Sequence, residues 1–154
     1  MVRFEELNAE TVGKYRQEIA QFYFGNMQTW SCLDHGSIEQ AYAKIGDLME
    51  HLRTETCIAY GAFEGNEIVG YVWAYPHPFR DENRMYISEC SVKEEFRGKG
   101  IGKTLISLVE QRAREAGFPA VYLHAEAGSP DAVGFYESIG YREERIQFRK
   151  EMEP

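Results

Sequence analysis

The stretch that decides the fold of this chain is Val92-Lys93-Glu94-Glu95-Phe96-Arg97-Gly98-Lys99-Gly100-Ile101-Gly102. An apolar strand end and a short acidic turn lead into three glycines at alternate positions, and a long amphipathic helix follows at once. Because glycine lacks a Cβ, backbone N–H groups can turn toward one point. A helix start adds unpaired N–H groups and a partial positive charge. The stretch therefore predicts a phosphate or pyrophosphate site, to which Arg97 and Lys99 add positive charge.

The composition predicts one globular domain over residues 1–154, since 44% of the residues are hydrophobic and 14% are aromatic. The formal net charge of −8 argues against a nucleic-acid partner. No stretch approaches the roughly 20 apolar residues that span a membrane. Cys32, Cys57 and Cys90 lie far apart without metal-ligand spacing. We therefore expect a cytoplasmic protein without a bound metal.

The residues before the glycine loop predict two helices and four strands. Asn8 can cap a helix over 9–23, and Ser37 can cap a second one whose apolar residues recur with helical spacing. Residues 24–36 between them are expected to form an aromatic-rich loop. The predicted strands cover 2–7, 56–63, 67–75 and 85–92, with a tight turn at 64–66, a strand end at Pro76 and Pro78, and a charged loop over 80–84.

The residues after the loop predict alternating helices and strands. The long helix ends at Gly117. A strand follows over 120–125, and Ser129 with Pro130 can open another helix, which Gly140 ends. Residues 141–152 can hold a final strand or a tight hairpin. Meandering strands followed by a helical crossover predict an α/β (α+β) fold with a mixed sheet covered by helices.

The glycine spacing excludes two nucleotide-binding loops. A dinucleotide loop requires G-x-G-x-x-G, whereas this chain has G-x-G-x-G, and a triphosphate loop requires G-x-x-x-x-G-K-[S/T], which is absent. Residues 97–102 instead resemble the acyl-CoA loop of the GNAT superfamily of N-acetyltransferases, Arg/Gln-x-x-Gly-x-Gly/Ala. The resemblance holds at every defined position.

A second segment, residues 129–141, resembles a later motif of the same superfamily, Asn-x-x-Ala-x-x-(apolar)-Tyr-x-x-x-Gly-Phe. Ser129 stands where Asn is usual and Tyr141 where Phe is common, while the defined positions that coincide are Ala132, Phe135, Tyr136 and Gly140. The two matches imply a single GNAT-like domain. That fold has a mostly antiparallel sheet of about six to seven strands, four flanking helices and a splayed central pair of parallel strands.

The resemblance implies acetyl-CoA as the co-substrate. In the family's pattern the pyrophosphate lies against the N–H groups of the glycine loop, and the pantetheine arm runs along the end of the preceding strand. The residues that this pattern assigns to the cofactor are Cys90, Ser91, Val92, Arg97, Gly98, Lys99, Gly100, Ile101, Gly102, Ser129 and Tyr136.

The resemblance also implies that Tyr136 is the general acid for the leaving thiolate, whose pKa is not far from that of a phenol. The general base remains open at this level. Glu89 lies near the end of the strand before the loop, and His124 has an ordinary pKa close to neutrality. Glu126 shares the strand face of His124 and is a weaker candidate. A relay through water would make a dedicated base unnecessary.

The acceptor is the least determined part. By resemblance, Tyr23, Trp30 and Glu89 line its site, and we expect a primary amine of a small molecule. A protein N-terminus or lysine is the alternative acceptor, and a CoA-binding sensor without turnover is the alternative class. Residues 142–154 are too few for a long final hairpin. We therefore expect one wall of the cleft to be open or to be supplied by a second chain in a homodimer.

Overall fold

A five-stranded sheet with the order β1-β2-β3-β4-β5 runs through the computed structural model, which describes residues 1–28 and 36–154. Its strands are β1 (Val2–Glu6), β2 (Ile58–Glu64), β3 (Glu67–Phe79), β4 (Glu82–Val92) and β5 (Val121–Tyr122). The helices are α1 (Ala9–Lys14), α2 (Arg16–Met27), α3 (Ile38–Arg53), α4 (Ile101–Glu115) and α5 (Pro130–Ser138), with a 3-10 turn at Glu94–Phe96. β1 to β4 pair antiparallel, whereas β4 and β5 pair parallel. The predicted mostly antiparallel α+β fold is confirmed.

Helices cover both faces of the sheet. Period-two alternation along β3 sends Tyr71 and Trp73 to one face and Val72 and Ala74 to the other. The first face packs against α1, α2 and α3, with a buried core of Leu7, Val12, Ile19, Ala20, Met27, Ala41, Ile45, Leu48, Ala59, Phe63, Ile68, Tyr71 and Trp73. The second packs against α4, through Tyr60, Ala62, Val69, Val72, Ala74, Met85, Ile87, Ile101, Leu105, Ile106, Val109 and Ala113.

The β3–β4 hairpin is longer than the sequence predicted. Pro76 and Pro78 lie inside β3, opposite Met85 and Asn83, and β4 already begins at Glu82. The predicted strand end and the charged loop over 80–84 were therefore wrong. The pairing of β2 with β3 stops at Ala74. Beyond that point β3 is an edge strand, where proline removes no hydrogen bond from the ladder.

The numbers of strands and helices also differ from the prediction. The described residues hold five strands rather than six or seven, because residues 142–154 form no strand. β5, with only two residues, is shorter than the predicted strand over 120–125. The predicted helix over 9–23 is divided at Tyr15 into α1 and α2, and α2 continues into the predicted loop as far as Met27. The Tyr15 hydroxyl donates to the carbonyl of Asn66 at 2.9 Å. This bond ties the break between the helices to the β2–β3 turn.

The helix ends follow the sequence signals at most positions. The Asn8 side chain accepts the N–H of Thr11 at 2.8 Å, and Ser37 forms a capping box with Gln40. The Ser129 side chain makes no capping bond at α5, contrary to the prediction, and its backbone carbonyl accepts the N–H of Ala132 instead.

Within the described ranges, no helix has the length and apolar character required to cross a bilayer.

Candidate active site

The glycine loop leads directly into α4. Gly98 and Gly100 have φ angles of 78° and 81°, which strain any residue with a Cβ. Gly100 is the N-cap of α4 and, in the described part of the chain, no side chain caps that end. A Cβ built on either glycine would meet no atom within 4 Å, so the space beside the loop is open. The first N–H groups of α4 thus fit a diphosphate, as acetyl-CoA carries.

The two basic side chains of the loop flank this helix start. Arg97 Nε donates to the carbonyl of Val92 at 3.0 Å, which ties the loop to the end of β4. The ammonium of Lys99 lies 5.1 Å from the ring centroid of Phe96. Both side chains are exposed. They add positive charge beside the N-terminus of α4, where an anion is favoured.

Replacing Gly100 by Ala is expected to weaken acetyl-CoA binding about tenfold, because the left-handed backbone at this N-cap costs a side chain roughly 1–2 kcal/mol. Isothermal titration with acetyl-CoA measures the loss. Gly134→Ala, in the middle of α5 with nothing within 4 Å of the added carbon, is the matched control. Equal affinities for both variants would contradict a binding role for the Gly100 conformation.

The edge of β4 beyond Tyr86 has no partner strand in the described residues, and this open edge is referred to below as the slot. The parallel pairing is confined to Met85 with Val121 and Tyr86 with Tyr122, although β4 continues to Val92. The predicted parallel pair is therefore present, but it lies at one edge of the five-stranded sheet and not at its centre. Cys90, Ser91 and Val92 follow the last β5 contact on β4. This is the stretch that the resemblance assigns to the pantetheine arm.

A β-bulge in β4 determines which way Glu89 faces. Trp73 pairs with Glu89 and Ala74 pairs with Ile87, so Ser88 is an extra residue in β4. Ile87 belongs to the core beneath α4. Strict alternation would place Glu89 on the same face, whereas the bulge places it beside Trp73, beneath α2. The position of the bulge has no signal in the sequence.

Glu89 accepts a hydrogen bond from Nδ2 of Asn26 on α2 at 2.8 Å. Burial raises the pKa of the Glu89 carboxyl from 4.5 to about 7, against the opposing effects of the Asn26 bond, the Lys44 charge and the Cys90 N–H. At neutral pH the group is thus divided between acid and carboxylate, as suits a general base. Sequence reasoning missed Asn26, because residues 24–36 were predicted as a loop.

Tyr136, on α5, lies on the other face of β4. Its ring packs in the core beneath α4 with Phe135 and Tyr141, at centroid distances of 5.1 and 5.9 Å. Burial raises the pKa of its phenol well above the ordinary value, and the neighbouring Cys90 and Glu89 raise it further. The phenol therefore stays protonated at neutral pH. Tyr136 and Glu89 flank β4 from opposite faces, near the slot.

Tyr141 anchors the end of α5 beside Tyr136. Its hydroxyl donates to Oε2 of Glu110 on α4 at 2.9 Å, and its N–H bonds to the carbonyl of Tyr136 at 3.0 Å. A phenylalanine, which the family's motif often has here, lacks that hydroxyl. The tyrosine at position 141 therefore has a structural role, because its hydroxyl connects the end of α5 to α4.

The other candidate bases lie away from Asn26 and Glu89. His124 is exposed, and its Nδ1 lies 3.2 Å from the Tyr86 hydroxyl. Both rings belong to a cluster with Tyr75, His77 and Tyr122. Glu126 follows β5, and its carbonyl accepts the N–H of Ser129 at 3.0 Å.

Two tyrosines complete the surroundings of Glu89. Burial, followed by the Glu89 charge, raises the pKa of Tyr23 to about 12. Tyr71 is 0% exposed, and its hydroxyl has no hydrogen-bond partner in the described ranges. Tyr71 is the register partner of Ser91, which follows Glu89 by two residues on β4 and therefore shares its face of the sheet. Trp30, the remaining predicted acceptor residue, lies outside the described residues.

Comparisons of the sequence with known proteins identify N-acetyltransferases as relatives of this chain. A family model for the acetyltransferase (GNAT) family matches residues 17–141. An uncharacterized N-acetyltransferase, YdgE of Bacillus subtilis, is 33% identical over 86 residues, which is 56% of this chain and 55% of that protein. The human N-acetyltransferase 8B is 33% identical over 101 residues, or 64% of this chain and 44% of that protein. The chain thus spans about half the length of these curated relatives.

Solved structures share the fold at low identity. A crystal structure of the aminoglycoside acetyltransferase meta-AAC0020, from an uncultured soil metagenomic sample and in complex with sisomicin, has a TM-score of 0.72 at 22% identity. The similarity covers 99% of this chain and 97% of that one. At this identity the likeness concerns the fold alone.

Proposed function

The chain belongs to the GNAT acetyltransferase family, and from this premise we propose that it transfers the acetyl group of acetyl-CoA to a primary amine of a small molecule. The observation that carries the proposal is the pair Glu89 and Tyr136. A carboxyl group with a pKa of about 7 and a phenol that stays protonated lie on opposite faces of β4, beside the slot. These are the proton acceptor and the proton donor that amine acylation requires.

The binding part of the proposal assigns the diphosphate to the N–H groups of Gly98 to Gly102 and the start of α4. Arg97 and Lys99 add charge there. Cys90, Ser91 and Val92 border the slot for the pantetheine arm, and Tyr136 closes it from the α5 side. The interior position of Ser91, which is 5% exposed, suits a role for its backbone rather than its side chain. Bound acetyl-CoA supplies an activated thioester carbonyl.

In the proposed chemistry, the Glu89 carboxylate takes one proton from the acceptor ammonium, so that the nitrogen lone pair can attack the acetyl carbonyl. The new C–N bond forms as the C–S bond breaks, and the electron pair of that bond goes to sulfur. Tyr136 Oη donates its proton to the sulfur. The products are an amide, free CoA thiol and one proton, which Glu89 releases to solvent. The second amine proton passes to Tyr136 through solvent and restores the phenol. No oxidant, reductant or metal enters the balance.

The aminoglycoside acetyltransferase noted above, whose structure is in complex with sisomicin, shows that this fold can hold a small molecule that carries amines. A protein N-terminus or a lysine side chain is the alternative acceptor. An acyl-CoA sensor without turnover is the alternative of a different class, and the presence of Tyr136 disfavours it. A homodimer that completes the acceptor cleft remains a prediction. A monomeric mass with full activity at nanomolar enzyme would contradict it.

A panel of amines and peptides with acetyl-CoA tests the proposed function through amine-dependent release of thiol. We expect thiol release with at least one class of small primary amine and only background release with peptides. Activity confined to peptide N-termini or lysines would show that the acceptor is a peptide or protein amine and not a small molecule. Acetyl-CoA binding without amine-dependent thiol release would support the sensor.

Replacing Asn26 by Ala is expected to raise the pKa of Glu89 further, because the Asn26 amide stabilises the carboxylate form. The rise of kcat/KM with pH then moves to higher pH by about one pH unit, the usual effect of one hydrogen bond to a charged group. Asn83→Ala, an exposed amide on β4, is the control. An unchanged pH profile would remove Asn26 from this role.

A further inference from the structure

A cavity of about 240 Å³ lies between α3 and β3, and nothing above assigns it a ligand. It combines charged and hydroxyl groups with aromatic rings, and its lining residues are Lys44, Asp47, Glu50, His51, Thr54, Thr56, Trp73 and Tyr75. Lys44, Asp47 and His51 recur with helical spacing on one side of α3. Trp73 and Tyr75 share one face of β3 by period-two alternation.

The cavity adjoins Glu89. Trp73, which lines it, is the register partner of Glu89 across β3 and β4. The Lys44 ammonium is close enough to lower the pKa of Glu89. Asp47 raises the pKa of both Tyr23 and Tyr75, so its carboxylate faces the space between α2, α3 and β3. A molecule whose amine lies at Glu89 would therefore have this cavity beside it.

The walls of the cavity are aromatic and include an unused donor. The His51 and Tyr75 rings are stacked at 5.0 Å, and Trp73 lies 5.5 Å from Tyr75. Trp73 is 2% exposed, and its indole N–H, which is not fully buried, bonds to no group in the described ranges. Ring faces of this kind also attract a cation.

The charges of the cavity leave one carboxylate uncompensated. Glu50 forms an ion pair with Arg53 at 3.5 Å. The Lys44 ammonium lies over the Trp73 ring at 5.8 Å, on the side of Glu89. Asp47 makes no ion pair with any residue in ranges 1–28 and 36–154. A cationic group bound against the Tyr75 and His51 rings would supply its counter-ion.

We propose that this cavity binds a second ammonium group of the acceptor, with Asp47 as its counter-ion, so that the enzyme prefers amines that carry two or more positive charges. The inference rests on the proposed function. Trp73 lies beside Glu89, and Tyr75 is two residues further along β3, which is roughly 7 Å. The spacing suits diamines with four or five carbons and amino sugars with neighbouring amines, whose hydroxyl groups can also accept from Trp73.

The test compares kcat/KM for 1,4-diaminobutane and 1,5-diaminopentane with that for butylamine and pentylamine. We expect the diamines to be preferred about tenfold at low salt, with a smaller preference at high salt because the Asp47 carboxylate is exposed. Asp47→Asn is expected to lower kcat/KM for the diamines about tenfold and to change that for the monoamines less than about twofold. Glu39→Gln, which removes an exposed carboxylate from the same helix outside the cavity, should leave both unchanged.

Three other outcomes would overturn the proposal about the cavity. Equal rates for diamines and monoamines in the wild-type enzyme would overturn it, as would a similar loss for both substrate types in Asp47→Asn, which would indicate a structural role. A preference for amines that carry a carboxylate, lost in Lys44→Met, would overturn it in favour of amino acids. These results leave the proposed function intact. Absence of thiol release with every amine would contradict the proposed function itself.

Discussion

Replacing Glu89 by Gln is expected to lower kcat/KM for the amine by about 10²–10³-fold, the usual contribution of a general base. Glutamine keeps the size of the side chain and an oxygen that can accept the hydrogen bond of Asn26, but it cannot take a proton. Acetyl-CoA affinity should change little. Steady-state kinetics together with acetyl-CoA titration separate the two effects.

The pH profile gives this prediction a sharper readout. The pKa of Glu89 is raised from 4.5 to about 7, so the carboxylate that acts as the base appears as the pH rises through 7. In the wild-type enzyme, kcat should rise with pH around that value. The Glu89→Gln variant should not show this rise of kcat with pH. The same rise in the variant would indicate that another group or water is the base.

Unfolding cannot explain the expected loss, because the same substitution should stabilise the protein at alkaline pH. A raised folded-state pKa makes the neutral carboxyl favourable, a contribution that is present at low pH and is lost as the pH rises through 7. The neutral amide avoids that loss. The free energy of unfolding of Glu89→Gln should therefore exceed that of the wild type by about 3 kcal/mol at pH 8 and match it near pH 4.

Replacing Tyr136 by Phe is expected to lower kcat about 10²-fold while leaving the dissociation constant of acetyl-CoA within about twofold. Phenylalanine keeps the packing against Phe135 and Tyr141 and removes only the proton donor. Pre-steady-state thiol release measures the chemical step directly. The reduction should shrink for acyl donors whose leaving thiol has a lower pKa, because such a thiolate needs less protonation.

The matched control for Tyr136 is Tyr141→Phe, since this neighbouring phenol bonds to Glu110 and the family's motif often has Phe at its position. Its kcat should stay within about threefold of the wild type, with a loss of stability of about 1 kcal/mol. Equal kcat for Tyr136→Phe and the wild type would remove Tyr136 from the acid role. A similar loss in both variants would point to disturbed packing of α5.

Local signals were sufficient for the glycine loop, α4 and α5. Positive φ at Gly100 and the helix stop at Gly117 are properties of short segments, and so the sequence predicts them. The ends of β3 depend on a neighbour instead: Pro76 and Pro78 are tolerated because β2 stops at Ala74. Whether a strand is an edge at a given residue is a tertiary property that periodicity does not contain.

The contacts that shift the pKa of Glu89 could not be predicted from the sequence for the same reason. The extra residue Ser88 rotates Glu89 to the α2 face, and Asn26 meets it from a helix 63 positions earlier in the chain. No signal in the sequence connects Asp47 on α3 with Trp73 and Tyr75 on β3. Family resemblance identified Glu89 and Tyr136 as candidates, while burial and partners distinguish Glu89 from His124.

The most direct test of acetyl transfer uses acetyl-CoA labelled with ¹³C at the acetyl carbonyl, incubated with the protein and a pooled set of primary amines, and followed by NMR. We expect the thioester signal to disappear while an amide carbonyl signal and free CoA thiol appear in equal amounts. In Glu89→Gln this conversion should be much slower. A thioester signal that persists while acetyl-CoA stays bound would contradict the account.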